Sequence, residues 1–393
     1  MGKKYWMYLS LWEEHDGAPG MGLFSVDTTT GEIELRKQLN DDVSSACSHY
    51  DAQRGILYVC NEEAKSEHVG FVQYKTGRIY AYKVSPVDGS LTELFCRETY
   101  CPNPAYLSLD SSGKYMVVAN YGLDDGIATL HRRENGGYDM EVVVPDSLLE
   151  LYAVNPDGTL GDLLDVKKHI LDREKYPRGS HLHCTVFSPS GNLFVVCDKG
   201  SGFVHIYTID RENNALKLLS STPTSHPTIC PRHCVFHPSK PYFVMNHEKE
   251  KDGRMVLSSF RYTEDGQVEE VCAANVLPDG YEVPPKSHFE LQGLCISEDG
   301  KYIYTCIKEG PNAIAVLSFD EMTGELRLLQ HAPITGVWPR GLAIVPGGKF
   351  IVASCLVSGD VAVYKIEDNG CLSAPVSTAN LKGGTYMSFC EQK

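Results

Sequence analysis

The chain has 393 residues, 42% of them hydrophobic and 22% charged, enough apolar material for a large buried core and too much for disorder. Its formal net charge of −15 argues against nucleic acid and anionic membrane surfaces as partners, since both would repel it. No stretch approaches the ~20 consecutive apolar residues of a membrane span.

The first apolar run, Tyr5 to Trp12, is closed by Glu13 without a small-residue cleavage pattern. It therefore predicts a strand and not a signal peptide. Met21 to Val26 predicts a second strand. From there one unit recurs: a short apolar strand, a turn rich in Ser, Asp, Pro or Gly, and a second strand. Ala46–Cys60 is a loose copy. Clearer copies are Ala105–Ala119, His183–Cys197, Arg232–Met245, Gln292–Cys306 and Arg340–Ser354. A third apolar run follows each: Gly77–Val84, Gly126–His131, Phe203–Ile209, Met255–Phe260, Ala313–Phe319 and Val361–Ile366. Turns such as Asp88–Leu91, Asn155–Leu160, Thr323–Leu326 and Asp368–Leu372 then lead into a short fourth run.

Apolar runs separated by such turns predict antiparallel hairpins, and four strands make one propeller blade. Six copies plus the N-terminal strands predict an all-β, seven-bladed β-propeller, with residues 1–393 as a single domain. Thr385–Phe389 is placed to pair with the N-terminal strands and close the ring, which hides sheet edges. A blade takes about 56 residues, against roughly 40–50 in common propeller repeats. The excess falls in loops, with the longest insertion expected at Arg132–Ser180.

The repeat also positions polar groups. The turn glycine or its equivalent falls at Gly113, Gly191, Lys240, Gly300 and Gly348. Eight residues earlier stand Ala105, His183, Arg232, Gln292 and Arg340. Quasi-symmetry gives these the same height on successive blades, and four of the five are polar. A second ring follows the anchors: Asn120, Asp198 with Lys199, His247 with Glu248, and Lys308, joined by Asn61 and Glu62 of the first blade. Together the rings predict a pocket at one mouth of the central channel. The plainer reading is that strand-end polar groups satisfy turn backbone or face water.

A His beside Arg and Glu is a set for acid–base chemistry. Histidine can take a proton from water near neutral pH and return it to a leaving group. A neighbouring carboxylate would hold its tautomer and raise its pKa. Arginine binds carboxylate or phosphate, or stabilises an oxyanion. The set suits opening a lactone with water, or closing a carboxylate onto an alkene. No Gly-x-Ser-x-Gly elbow and no Gly-rich phosphate loop is present, which removes the common serine-hydrolase and nucleotide-binding readings.

Several of the 14 cysteines, including Cys60, Cys184, Cys197, Cys295, Cys306 and Cys355, lie inside strand-like runs. That predicts reduced, buried thiols and a cytoplasmic location. Cys230, His233 and Cys234 resemble half a metal site, but no second Cys/His pair stands at zinc spacing. Glu62, Asn120 and Asp198 offer oxygen ligands with a weak signal. No metal or cofactor is expected.

Longer motifs add a family resemblance. They are Asn103-Pro104 with the run to Tyr115, Val118–Tyr121, His181–His183, Pro231–Pro238 and Trp338–Gly341. With these the sequence resembles the lactonase family of seven-bladed propellers. That family includes the propeller type of 6-phosphogluconolactonase and the fungal 3-carboxy-cis,cis-muconate cyclase. The resemblance covers almost the entire chain. It implies a channel-mouth site of a His, an Arg, a Glu and a second Arg, of which the first three fall on His183, Arg232 and Glu248. The second Arg falls at or near Lys308, which keeps the charge and loses the bidentate fork. Two further departures stand out. The family's frequent Pro-Cys-His-Leu reads Pro104–Leu107 with Ala105 and Tyr106, and its Val-Asn-Glu reads Asn246-His247-Glu248.

The resemblance thus implies a lactonase acting on a sugar lactone, foremost 6-phosphogluconolactone. His183, Arg232, Glu248 and Lys308 are its catalytic candidates. Arg340, His181, Asn120, Glu62, Lys199, Gln292 and His247 are its substrate-binding candidates. The alternatives are a cyclase running related chemistry in reverse, as an intramolecular lyase, and a non-catalytic ligand- or protein-binding propeller. The expected partner is a small lactone, without nucleic acid or membrane, and the expected state is a monomer or weak homo-oligomer. Phosphorylated and neutral lactones both remain open at this level.

Overall fold

The repeated runs form strands because β-branched and aromatic side chains fit a pleated, buried surface. The computed structural model describes residues 2–13, 19–62, 65–68, 71–74, 76–123, 127–143, 147–169, 176, 179–225, 230–248, 253–282 and 289–393. These residues form seven four-stranded antiparallel sheets and two separate hairpins.

The chain begins with β1 (Lys4–Leu11), β2 (Gly20–Asp27) and β3 (Ile33–Leu39). Blade 1 follows, built from β4 (Ser45–Asp51), β5 (Ile56–Asn61), β8 (Arg78–Val84) and β9 (Leu91–Glu98). The hairpin β6 (Lys65–His68) and β7 (Phe71–Tyr74) interrupts it. Blade 2 uses β10 (Pro104–Leu109), β11 (Tyr115–Asn120), β14 (Leu148–Val154) and β15 (Leu160–Lys168), interrupted by β12 (Ile127–Arg132) and β13 (Tyr138–Val143). Blade 3 is β16 (Leu182–Phe187), β17 (Phe194–Asp198), β18 (Phe203–Asp210) and β19 (Ala215–Pro223). Blade 4 is β20 (Pro231–Phe236), β21 (Tyr242–His247), β22 (Val256–Tyr262) and β23 (Val268–Asn275). Blade 5 is β24 (Glu290–Ile296), β25 (Tyr302–Lys308), β26 (Ala313–Phe319) and β27 (Leu326–Pro333). Blade 6 is β28 (Pro339–Ile344), β29 (Phe350–Cys355), β30 (Asp360–Ile366) and β31 (Leu372–Asn380). The last strand, β32 (Gly384–Glu391), pairs with β1 and completes blade 7.

The innermost strands β4, β10, β16, β20, β24, β28 and β32 touch one another in that order, and β32 returns to β4. The ring is therefore closed by both ends of the chain, as the terminal segments predict. No helix among the described residues is long and apolar enough to cross a membrane.

The core is divided into seven apolar clusters, one at each blade interface. The second strand of a blade feeds two of them. In β5, Ile56 and Tyr58 face blade 2, whereas Leu57 and Val59 face blade 7. Period-two alternation with both faces covered explains why these strands read as continuous apolar runs. Buried tyrosines on second strands also cross the interfaces. Tyr8 Oη donates to Gly89 O (2.9 Å), Tyr58 Oη to Gly158 O (2.7 Å) and Tyr304 Oη to Gly370 O (3.0 Å). Each acceptor lies in the turn between the third and fourth strands of the next blade.

One expectation is corrected. The run Gly126–His131 is not the third strand of blade 2, because it falls in β12, which pairs with β13 as a separate hairpin. Gly126 itself, and residues 144–146, 170–175 and 177–178 of the expected loop, lie outside the described residues. The third strand is β14, so β14 and β15 both fall inside the stretch Arg132–Ser180. Burial distinguishes the two runs: Leu149 and Leu151 are fully buried, whereas Leu130 and Met140 of the hairpin are exposed.

The inter-blade tyrosines give a first prediction. Tyr304→Phe keeps the ring and leaves the Gly370 carbonyl without its donor. It should lower unfolding free energy by about 1–2 kcal/mol in equilibrium denaturation. An unchanged stability would contradict the assignment of this bond as an interface lock.

Candidate active site

The inner strands share one irregularity. Pairing of β10 with β11 skips from Pro104 to Tyr106, and pairing of β16 with β17 skips from Leu182 to Cys184. Pairing of β20 with β21 skips from Pro231 to His233, and that of β28 with β29 from Pro339 to Gly341. The same happens from Ser45 to Cys47 in β4 and from Gly384 to Tyr386 in β32. In β24 the skip is wider, from Leu291 to Leu294. The skipped residues are Ala46, Ala105, His183, Arg232, Gln292, Arg340 and Thr385. A bulge releases a residue from the ladder and re-aims its side chain.

Six of these seven line one small pocket at the channel mouth: Ala46, Ala105, His183, Arg232, Arg340 and Thr385. The residues that follow four of them, Cys47, Tyr106, His233 and Tyr386, line it too, together with Glu62. The enclosed space is about 20 Å³, room for roughly one water. Below it the channel widens into a cavity of about 310 Å³. Tyr106 and Tyr386, whose Oη atoms lie 3.0 Å apart, line both spaces, as do His233, Arg340 and Thr385.

A second backbone device fixes the residues just after the second strands. Their N–H groups bond to the carbonyl ahead of the inner strand: Glu62 to Ser44 (2.9 Å), Tyr121 to Asn103 (2.8 Å), Lys199 to His181 (2.9 Å) and Glu248 to Cys230 (2.8 Å). In three blades the residue before the strand-opening proline has a left-handed backbone: Asn103, Cys230 and Trp338, with φ of 54°, 61° and 65°. Such residues cost of order 1 kcal/mol or more and persist where the surroundings over-determine them.

His183 is 7% exposed, and its Nδ1 has no hydrogen-bond partner among the described residues. Its ring meets that of His233 edge-on at 5.0 Å. Burial, followed by the charges of Arg232, His233, Lys199 and Arg340, holds its pKa well below the usual 6.5. The expectation of a carboxylate that raises the His183 pKa is therefore corrected: its neighbours are cations, and they lower it.

Glu248 instead joins two cations. Its Oε2 lies 2.8 Å from Lys199 Nζ and 2.9 Å from Arg232 Nε. The Arg232 N–H does not point at that oxygen, so the contact is mainly coulombic. Arg232 Nη1 is 3.0 Å from Nδ1 and 3.2 Å from Nε2 of His233, and these near-equal distances put it over the ring face. Burial and then Arg232 lower the His233 pKa as well. Arg340 is half-buried, with its guanidinium 4.2 Å from the centre of the Trp12 ring. Among the described residues no carboxylate lies within ion-pair distance of it. Burial and the repulsion of Arg232 bring its pKa to about 10.

The other candidates are placed less directly. Lys308 Nζ is 3.0 Å from Glu290 Oε2 and 3.6 Å from the centre of the Trp338 ring. Gln292 Nε2 donates to the same Glu290 oxygen at 2.8 Å. His181 stacks on Tyr121 at 4.4 Å, and its Nδ1 meets Tyr121 O at 2.9 Å. Asn120 is fully buried and donates to Leu148 O at 3.3 Å. His247 is fully buried against Ser258 Oγ at 3.0 Å. Asn120 and His247 are thus turned into their blades, and, like His181, Lys199, Glu248, Gln292 and Lys308, they are not among the residues that line the pocket. Asp198 accepts the N–H groups of His181, Gly200 and Ser201, so it is engaged by backbone.

Sequence reasoning missed Tyr106, His233, Thr385 and Tyr386 as lining residues, and Trp12 and Trp338 as partners of cations. Tyr106, His233 and Tyr386 directly follow bulged positions. Alternation alone would send them to the opposite face.

Residues 8–389 match the family model for "Lactonase, 7-bladed beta-propeller". The chain is 24% identical over 357 residues to a 6-phosphogluconolactonase of Formosa agariphila, covering 89% of this chain and 90% of that protein. It is 23% identical over 322 residues to the 6-phosphogluconolactonase of Bacillus subtilis, covering 80% and 81%. The solved periplasmic gluconolactonase of Pseudomonas aeruginosa shares the fold, with a TM-score of 0.82 and 21% identity over 99% of this chain and 100% of that one. A bulged seven-membered ring and a family match spanning the same seven blades agree: the chain belongs to the lactonase family of seven-bladed β-propellers.

Proposed function

We propose that this chain is a lactonase that hydrolyses a sugar lactone carrying an anionic substituent, of the 6-phosphogluconolactone type. The observation that carries the reading is a buried His183 with a ring nitrogen that has no partner among the described residues, facing a pocket bounded by Arg232 and Arg340 whose charges, after burial, lower its pKa. The names of the Formosa and Bacillus relatives support the same substrate class.

In this reading water attacks the lactone carbonyl carbon while His183 takes its proton. The charge that builds on the carbonyl oxygen is held by Arg232, a fixed donor in a water-poor site. The ester C–O bond then breaks, and the departing ring oxygen recovers the proton from His183. The product is the open hydroxy acid. Glu248 positions Arg232 and Lys199 and reduces their mutual repulsion. Lys308, held by Glu290, adds positive field from behind. Arg340, half-exposed and without an ion-pair partner among the described residues, is assigned to the substrate's anionic group. The 14 cysteines, none joined in a disulfide, support a cytoplasmic location.

Three outcomes test the reading. His183→Ala should lower kcat for 6-phosphogluconolactone by about 10²–10⁴ while circular dichroism stays unchanged; retained activity would remove the acid–base role. Arg340→Met should raise KM for 6-phosphogluconolactone by about tenfold or more, a loss of at least ~1.4 kcal/mol, and change glucono-1,5-lactone turnover far less. Equal effects on both would remove the anion-binding role. The pH profile follows from the sign of the His183 shift. A histidine whose folded pKa lies below 6.5 stays neutral as pH falls through 6.5. The acid limb of kcat/KM should therefore lie below pH 6.5. The same shift adds stability above 6.5 that is lost as pH falls through and below that value. An acid limb at or above 6.5 would contradict the proposed environment of His183.

A further inference from the structure

Behind the pocket, quasi-symmetry stacks two cross-strand pairs from adjacent blades. Cys184 of β16 stands opposite Cys197 of β17, and Cys234 of β20 stands opposite Met245 of β21. The three Sγ atoms all lie within 4.8 Å of one another. Met245 Sδ is 3.6 Å from Cys197 Sγ. All four residues are buried, within an apolar cluster that includes Val195, Phe236, Phe243 and Phe260. Buried thiols are ordinarily small apolar filler. Here four sulfurs from four strands converge. The other cross-strand cysteine pair, Cys47 with Cys60, has no third metal-ligating side chain beside it among the described residues.

We propose that Cys184, Cys197, Cys234 and Met245 form an all-sulfur site for a thiophilic monovalent cation, copper(I), across the interface of blades 3 and 4. Thiolate and thioether donors select soft ions. Zinc takes four thiolate, imidazole or carboxylate ligands, and this cluster holds three thiols and a thioether. Cys234 also lines the 310 Å³ channel cavity, which gives the ion an access route. Burial opposes ionisation of the thiols. Binding releases the proton of each coordinating thiol to solvent and leaves copper in its +1 state. The bound ion would tie together the strands that carry His183 and Arg232.

The test uses the reduced, full-length protein under anaerobic conditions. Copper(I) is supplied as its bicinchoninate complex, and competition is read from loss of the complex's colour. The expected result is one copper(I) per chain, with thiolate-to-copper absorption in the near ultraviolet that saturates at one equivalent. Cys184→Ala and Cys197→Ala should each weaken binding about 100-fold. Met245→Leu, which conserves volume, should weaken it about tenfold. Cys60→Ala, a buried cysteine outside the cluster, should bind as the parent does. If either cysteine variant fails to fold, the other and Met245→Leu carry the comparison. A parent protein that takes no copper(I) from the complex overturns the proposal. So does uptake that is undiminished in every folded cluster variant.

Discussion

An antiparallel strand that carries one more residue than its partner must expel a residue from the ladder, and the expelled side chain takes a new direction. In this propeller the inner strand of every blade carries one extra residue at the same place, and in β24 the unpaired Gln292 and Gly293 face one unpaired residue, Cys306. Ring closure by β32 and β1 then brings these positions around one mouth. His183, Arg232 and Arg340 meet there because they occupy equivalent bulges on blades 3, 4 and 6. The bulge also turns two consecutive residues toward the channel, which is how His233 joins Arg232 and Tyr386 joins Thr385.

Electrostatics sets what this ring can do. The chain as a whole carries −15, yet Arg232 and Arg340 line the mouth, with Lys199 and Lys308 paired to Glu248 and Glu290. Burying such charges is tolerated when carboxylates share the site. Glu248 serves Arg232 and Lys199, and Glu290 serves Lys308. The surplus falls on Arg340, whose lowered pKa registers the burial and repulsion it bears. His183 is affected in the same direction. Surrounded by cations and short of water, it is more stable neutral, and a neutral imidazole is the form that can accept a proton.

Much of this was legible in the sequence, because a repeat that fixes strand phase also fixes which residues share a height. The ring of His183, Arg232 and Arg340 came from counting back from the turn glycines. Three things were hidden. Alternation hid Tyr106, His233 and Tyr386, since a bulge breaks the period-two rule locally and leaves no distinctive residue behind. The pattern of Ile127–Arg132 matched a blade strand, and only pairing with β13 separated it from Leu148–Val154. Side-chain direction hid the division among strand-end groups. Asn120 and His247 turn into the blade, whereas Glu248, one residue further on, turns to Arg232. The hydrogen bond from Glu248 N to Cys230 O makes that difference, and composition carries no trace of it.

The bulged residues of blades 3, 4 and 6 are proposed to act on one substrate. A crystal structure with 6-phosphogluconate, the hydrolysis product of the proposed substrate, tests this most directly. The product carboxylate should lie within hydrogen-bond distance of both His183 and Arg232, with the phosphate on Arg340. A product bound away from this mouth, or at the mouth without contact to His183, would contradict it.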